Sequence, residues 1–182
     1  MKKILIGITG CIAAYKTIDL IRQLNKNGYE TKVIITASGL KFVTELTVKT
    51  ISKHSPYTDQ YQIYNDNIEH IELAKWADIV IIAPATANTI AKIATGIADN
   101  LLSSTILAMP QKTKLYIAPA MNTRMWDNPI TQKNLKKIGK FYKHSTIIQP
   151  KKGLLACNET GVGAMADIET IYKTIVKANN SK

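Results

Sequence analysis

The chain has 182 residues, 46% hydrophobic and 20% charged, which excludes a low-complexity or disordered protein and makes one domain, residues 1–182, the expectation. Its 24 basic and 13 acidic side chains give a formal net charge of +11, but the lysines are scattered, with only doublets such as Lys136-Lys137 and Lys151-Lys152. No nucleic-acid-binding signature accompanies them, so solvated faces and an anionic small ligand are the expected uses of that field, with no nucleic acid as partner.

The apolar runs are of strand length, short of the ~20 residues of a membrane span, so no membrane partner is expected. Two cysteines, Cys11 and Cys157, are too few for a disulfide framework. A cytoplasmic protein with reduced thiols follows as the expectation.

The elements alternate. Lys3 to Thr9 is an apolar run that ends in Thr9-Gly10, a buried-strand pattern. Ala13 to Asn27 carries Ala14, Ile18, Ile21 and Leu24 at helical spacing, with Gly28 as a C-terminal stop. Glu30 to Ala37 reads as a second strand and Gly39 to Ile51 as a helix. A Tyr-rich irregular stretch, Ser55 to Asn67, follows. Asp78 to Pro84 is another buried strand, and Ala87 to Leu107 is helical with an interruption near Gly96. Lys114 to Ala118 and Thr146 to Gln149 supply further strands around a helix near Pro129 to Lys137. Gly153 to Met165 reads as a loop with three glycines, and Asp167 to Ala178 closes the chain as a helix. This alternation predicts an α/β fold with a parallel sheet covered by helices on both faces. Ligands of such sheets bind in the loops beyond the C-terminal ends of the strands.

Several segments carry candidate chemistry. Thr9-Gly10-Cys11-Ile12-Ala13 turns from strand to helix, where a glycine lets the backbone approach a ligand and a helix N-terminus favours phosphate. A tight turn alone explains it equally well, and without a full Gly-x-Gly-x-x-Gly a dinucleotide is disfavoured. Thr36-Ala37-Ser38 offers two hydroxyls near a helix start, which capping alone would explain. Pro84-Ala-Thr-Ala-Asn-Thr89 combines small residues with Thr86, Asn88 and Thr89, which suits a planar polar ring or a phosphate.

Pro119-Ala-Met-Asn-Thr-Arg-Met-Trp126 places Asn122 after a strand, with Met121, Met125 and Trp126 expected as apolar packing around it. The competing reading is a Pro-initiated turn and short helix whose Met and Trp belong to the core. In Gly153 to Met165, glycines flank Cys157 and form a candidate flap; the thiol is a candidate proton donor or a small buried residue. His70, followed by Ile71-Glu-Leu-Ala-Lys-Trp-Ala-Asp78, is a candidate base because its ordinary pKa lies near neutrality. No His, Cys and carboxylate set has metal-ligand spacing, and no metal is expected.

Together, Pro84-Ala-Thr-Ala-Asn-Thr89, Pro119-Ala-Met-Asn-Thr-Arg-Met-Trp126 and His70 in Asn67-Ile-Glu-His-Ile-Glu-Leu73 resemble the homo-oligomeric flavin-containing cysteine decarboxylases, over nearly the whole chain. The resemblance implies a Rossmann-like three-layer sandwich of flavoprotein type, an FMN cofactor, and assembly into trimers, often four trimers in a dodecamer. It places Gly10, Cys11, Ile12, Thr36, Ser38, Thr86, Ala87, Asn88, Thr89 and Ala120 at FMN. His70 corresponds to the active-site base, Asn122 to the residue gripping the substrate carboxylate, Leu154, Leu155 and Ala156 to the closing flap, and Cys157 to the proton donor of the reductive half.

The Leu154-Leu-Ala-Cys-Asn158 flap resembles the carboxy-lyase branch that acts on a phosphorylated pantothenoyl-cysteine conjugate in coenzyme A biosynthesis. There, oxidation of the cysteinyl thiol creates the electron sink for CO₂ loss and a reduction follows. A separate synthetase is then expected to supply the substrate. The alternatives are a peptidyl-cysteine decarboxylase of lantibiotic type, which stops at the enethiol, and a non-catalytic flavin-binding regulatory subunit. Three residues depart from the family pattern: Cys11 replaces a common Ser or Gly, Asn158 the glycine after the flap cysteine, and Ala164 a frequent arginine.

Overall fold

The computed structural model describes residues 2–61, 68–156 and 158–180. Five parallel strands form one sheet in the order β2-β1-β3-β4-β5: β1 (Lys3–Ile8), β2 (Glu30–Ile35), β3 (Ile79–Ala85), β4 (Lys114–Pro119) and β5 (Ser145–Ile147). The chain runs from β1 outward to β2, then crosses back to β3. The β1/β3 boundary is thus a topological switch point, where a crevice opens beyond the carboxyl ends of the strands. Outside β2, Tyr57 adds one parallel bridge to Ile34, its N–H donating to the Val33 carbonyl at 2.8 Å.

Strand alternation explains the layers. Ile4, Ile6 and Ile8 of β1 and Ile79, Ile81 and Ala83 of β3 face one core. It is covered by α1 (Ala14–Lys26), α2 (Glu45–Ser52) and α8 (Ile168–Asn180) through Leu20, Leu24, Val48, Ile171 and Ile175. Leu5, Val80 and Ile82 face the other. It is covered by α3 (Glu69–Trp76), α4 (Ala87–Thr95), α5 (Leu101–Leu107) and α7 (Pro129–Phe141) through Leu73, Ile90, Ile106, Leu135 and Ile138. Each Leu or Ile so buried contributes roughly 1.5–3 kcal/mol. The expected three-layer α/β sandwich is therefore the observed one. Among the described residues no helix is long and apolar enough to cross a membrane.

Helix starts follow cap chemistry. Thr44, Thr86, Asn100 and Asn128 each accept a backbone N–H from the first turn of α2, α4, α5 and α7, and Pro129 opens α7. Two expectations are corrected. Gly39 to Ile51 is not one helix: Gly39–Lys41 is a single 3₁₀ turn, and α2 begins only after the Thr44 cap. Gly153 to Met165 is not a plain loop, because β6 (Lys151–Leu154) and β7 (Thr160–Ala164) pair antiparallel as a separate hairpin. The interruption near Gly96 is real, dividing α4 from α5.

Candidate active site

The switch point is held by one buried hydroxyl. Thr9 Oγ1 donates to the Pro84 carbonyl at 2.6 Å and accepts from Thr86 N–H at 3.1 Å. Thr17 of α1 donates to the Ala83 carbonyl at 2.7 Å. Thr36 Oγ1 accepts from Gly39 N–H at 3.1 Å, which shapes the turn after β2. A Cβ on Gly10 would lie 2.5 Å from Ser38 Cβ, so only a glycine lets the first two turns meet this closely.

The three turns and the start of α4 enclose a cleft of about 330 Å³ lined by Thr9, Gly10, Thr36, Ser38, Thr86, Asn88 and Thr89. Lys92, Asp99 and Asn100 also line it, and sequence reasoning missed them. Lys92 Nζ lies 2.8 and 2.7 Å from the two carboxylate oxygens of Asp99. That hydrogen bond holds the Asp99 carboxyl below the usual carboxylate range. The signal for Lys92 was its position one helical turn after Asn88 on α4.

A second cavity of about 460 Å³ lies over the start of α1 and the end of β4. Cys11, Ile12 and Ala13 line one wall, Ala120, Met121 and Asn122 another, and Leu154, Leu155 and Ala156 a third. Tyr15 and Lys16 of α1 complete it and were not anticipated. Burial pushes the Cys11 thiol up, against the opposing pull of the Ala13 backbone hydrogen bond and Lys16.

Asn122 is the N-cap of α6 (Thr123–Asp127): its Oδ1 accepts from Arg124 N–H at 2.8 Å, so the amide is both helix cap and cavity wall. Trp126 is buried in the core, Met125 is about half exposed, and Met121 lines the cavity beside Asn122.

The hairpin sits directly on this loop. Met121 N–H donates to the Gly163 carbonyl at 3.0 Å, and a Cβ on Gly163 (φ +155°) would lie 2.2 Å from the Met121 oxygen. At the turn, Asn158 adopts φ 60°, the left-handed conformation that glycine and asparagine tolerate best. The departure from glycine at this position therefore keeps the turn. Cys157, the expected proton donor, lies outside the described residues.

His70 is placed elsewhere. It lies in the first turn of α3 and lines a cavity of about 470 Å³ with Gln60, Tyr61, Ala98, Ser104, Leu107 and Ala108. None of these lines the Asn122 cavity. The neighbouring Glu69 is buried, Oε2 has no hydrogen-bond partner among the described residues, and burial pushes its carboxyl up despite the counteracting charge of Lys32.

A hydroxyl-lined cleft at a switch point, and a cavity with a fixed amide beneath a hairpin, mark the candidate site of this α/β protein. The comparisons with known proteins specify it further. The Flavoprotein family model matches residues 1–180, and the chain belongs to that family. It is 46% identical over 180 residues to the probable phosphopantothenoylcysteine decarboxylase of Streptococcus mutans, covering 96% of this chain and 97% of that one.

Among solved structures it resembles a PPC decarboxylase mutant complexed with pantothenoylaminoethenethiol (TM-score 0.86, 34% identity, 99% of each chain). It also resembles the FMN binding protein AtHal3 (TM-score 0.83, 34% identity, 100% and 98% of the two chains). Against the coenzyme A biosynthesis bifunctional protein of Borreliella burgdorferi it is 44% identical but spans only 45% of that relative's length.

Proposed function

We propose that this protein is an FMN-dependent decarboxylase that converts 4′-phosphopantothenoylcysteine to 4′-phosphopantetheine. The carrying observation is the cavity in which Asn122, fixed as a helix cap, faces the flap residues Leu154–Ala156 beside the turn Cys11–Ala13. FMN needs a tight cradle for its phosphate and a mostly apolar slot for its ring. Gly10, Thr36, Ser38, Thr86, Asn88 and Thr89 fit the first, while Cys11, Ile12 and Ala120 fit the second. Bound there, the flavin would supply the redox chemistry that makes and then removes the electron sink for CO₂ loss.

The chain's own residues do the rest. Asn122 donates to the substrate carboxylate and holds it in register. The flap excludes water while the carbanion-like charge develops. His70 moves protons as the general base, and Cys157 delivers the final proton. In this reading residues 1–182 form one flavoprotein domain of a cytoplasmic protein, and a synthetase activity supplies the substrate.

His70 reaches the substrate of a neighbouring copy, because within one chain it and Asn122 line different cavities. Tyr61, Ile68, Ile97 and Leu107 near His70, and Ile12, Tyr15 and Leu154 at the Asn122 cavity, are large apolar side chains left exposed. A homo-oligomer, a trimer or four trimers, would cover both sets.

The test is to incubate flavin-loaded protein with 4′-phosphopantothenoylcysteine and measure released CO₂ together with the thiol product. Formation of 4′-phosphopantetheine is expected. Absence of conversion, with turnover of a peptide carrying a C-terminal cysteine, would move the assignment to the peptide-modifying branch.

A further inference from the structure

The amide of Asn122 already holds a carboxylate, and that carboxylate belongs to the chain itself. Asn122 Nδ2 donates to Glu159 Oε2 at 3.3 Å. Arg124, the second residue of α6, reaches Oε1 of the same group at 3.4 Å. Because Asn122 Oδ1 is engaged by the Arg124 N–H, the amide is turned with its NH₂ toward the hairpin. Glu159 is itself fixed by the hairpin turn: Leu155 N–H donates to the Glu159 carbonyl and Asn158 N–H to the Leu155 carbonyl, both at 2.9 Å. Leu155 lines the same cavity as Asn122.

We propose that Glu159 is an internal competitor for the substrate's carboxylate. It occupies Asn122 and Arg124 when no substrate is bound, yields Asn122 to the incoming carboxylate, and returns once CO₂ has left. The proposal rests on the reading of Asn122 as the carboxylate-holding amide.

The physical basis is exchange between like groups. Replacing one carboxylate on an amide donor by another forms the hydrogen bond that it breaks, so displacement by an acid is nearly neutral. A ligand without a carboxylate has no such bond to offer in exchange. Glu159 is about half exposed and Arg124 is 86% exposed, so solvent screens their pair and keeps the latch weak enough to open. Arg124 also lets Glu159 remain paired while Asn122 turns to the substrate. The outcome is a donor that is never left bare: the acid exchanges with Glu159 on Asn122, and Glu159 takes the amide back once CO₂ has left.

The test uses two unreactive ligands and calorimetric titration of the flavin-loaded protein. One is the substrate with alanine in place of cysteine, which keeps the carboxylate and lacks the thiol; the other is the same molecule without the carboxylate. Glu159→Ala is expected to tighten binding of the acid by about threefold to tenfold and to leave the second ligand within about twofold. Glu159→Gln, a neutral acceptor of the same shape, is expected to fall between.

Weaker binding of the acid in Glu159→Ala, or an equal shift for both ligands, overturns the proposal and makes the residue a packing element of the hairpin. If Asn122→Ala abolishes the wild-type preference for the acid while the Glu159 variants leave it unchanged, the competitor falls and the reading of Asn122 stands. If the wild type binds both ligands equally and Asn122→Ala alters neither affinity, the reading of Asn122 falls and takes the competitor with it.

Discussion

Thr9 Oγ1 and the Pro84 carbonyl lie 2.6 Å apart across the β1/β3 boundary, and this bond joins two of the turns that line the hydroxyl-rich cleft. The same oxygen accepts Thr86 N–H, so one buried hydroxyl sets both the strand-end turn and the entry to α4. Thr9→Val keeps the shape and removes both bonds. It is expected to cost roughly 1–3 kcal/mol in urea unfolding. It should also weaken FMN affinity in a fluorescence-quenching titration, whereas unchanged affinity would separate the bond from the cleft.

Lys92 and Asp99 bring opposite charges to the edge of that cleft. An anionic phosphate gains from the first and loses from the second. Lys92→Met is expected to weaken FMN binding by about tenfold, and Asp99→Asn to strengthen it severalfold, both effects fading as salt is raised. Equal affinities in all three proteins would place the pair outside the phosphate's reach.

Glu69 carries a pH signature. Burial raises its folded-state pKa, so its contribution to stability is fully present below the unfolded pKa and is lost as pH rises through the folded value. At neutral pH the ionised carboxylate is therefore a cost. Glu69→Gln is expected to raise Tm at pH 7 by about 2–4 °C, with the gain vanishing below the ordinary carboxylate range. A Tm difference independent of pH would contradict this.

Gly163 tests the seat of the hairpin. Its substitution by alanine drives a Cβ into the Met121 carbonyl, which must shift together with the hairpin. A displacement of about 1 Å at a positioning element costs on the order of 10²-fold in rate. Gly163→Ala is expected to lose about that much in kcat/KM while circular dichroism still reports the α/β fold.

The sequence carried the layers because β1 and β3 send alternate residues to two cores, and strand-length apolar runs between helical repeats mark a parallel sheet. It misread two places for local reasons. Gly39 to Ile51 has enough apolar spacing for a helix, yet Thr44 caps α2 from inside that range and leaves Gly39–Lys41 as a separate turn. In β7 the glycines Gly161 and Gly163 leave no side chains to show alternation, so the hairpin looked like a loop.

At the site, the turns at Gly10, Thr36 and Thr86 were legible because small and hydroxylated residues directly follow strands. The two readings of Pro119–Trp126 proved compatible: Asn122 caps a short helix and lines a cavity, and Trp126 belongs to the core. The bond from Asn122 to Glu159 was invisible because 37 residues separate them and only the seated hairpin brings them together. The separation of His70 from Asn122 is likewise a matter of topology rather than local pattern.

A decarboxylation completed by reduction needs the Cys157 thiol as its last proton donor, and Cys157→Ser removes that donor alone. With 4′-phosphopantothenoylcysteine, wild-type protein should yield 4′-phosphopantetheine. In a single turnover the mutant should release CO₂ and yield the unsaturated enethiol, lighter than the wild-type product by one hydrogen molecule in the mass spectrum. A mutant that forms 4′-phosphopantetheine at the wild-type rate would rule out the thiol as the donor.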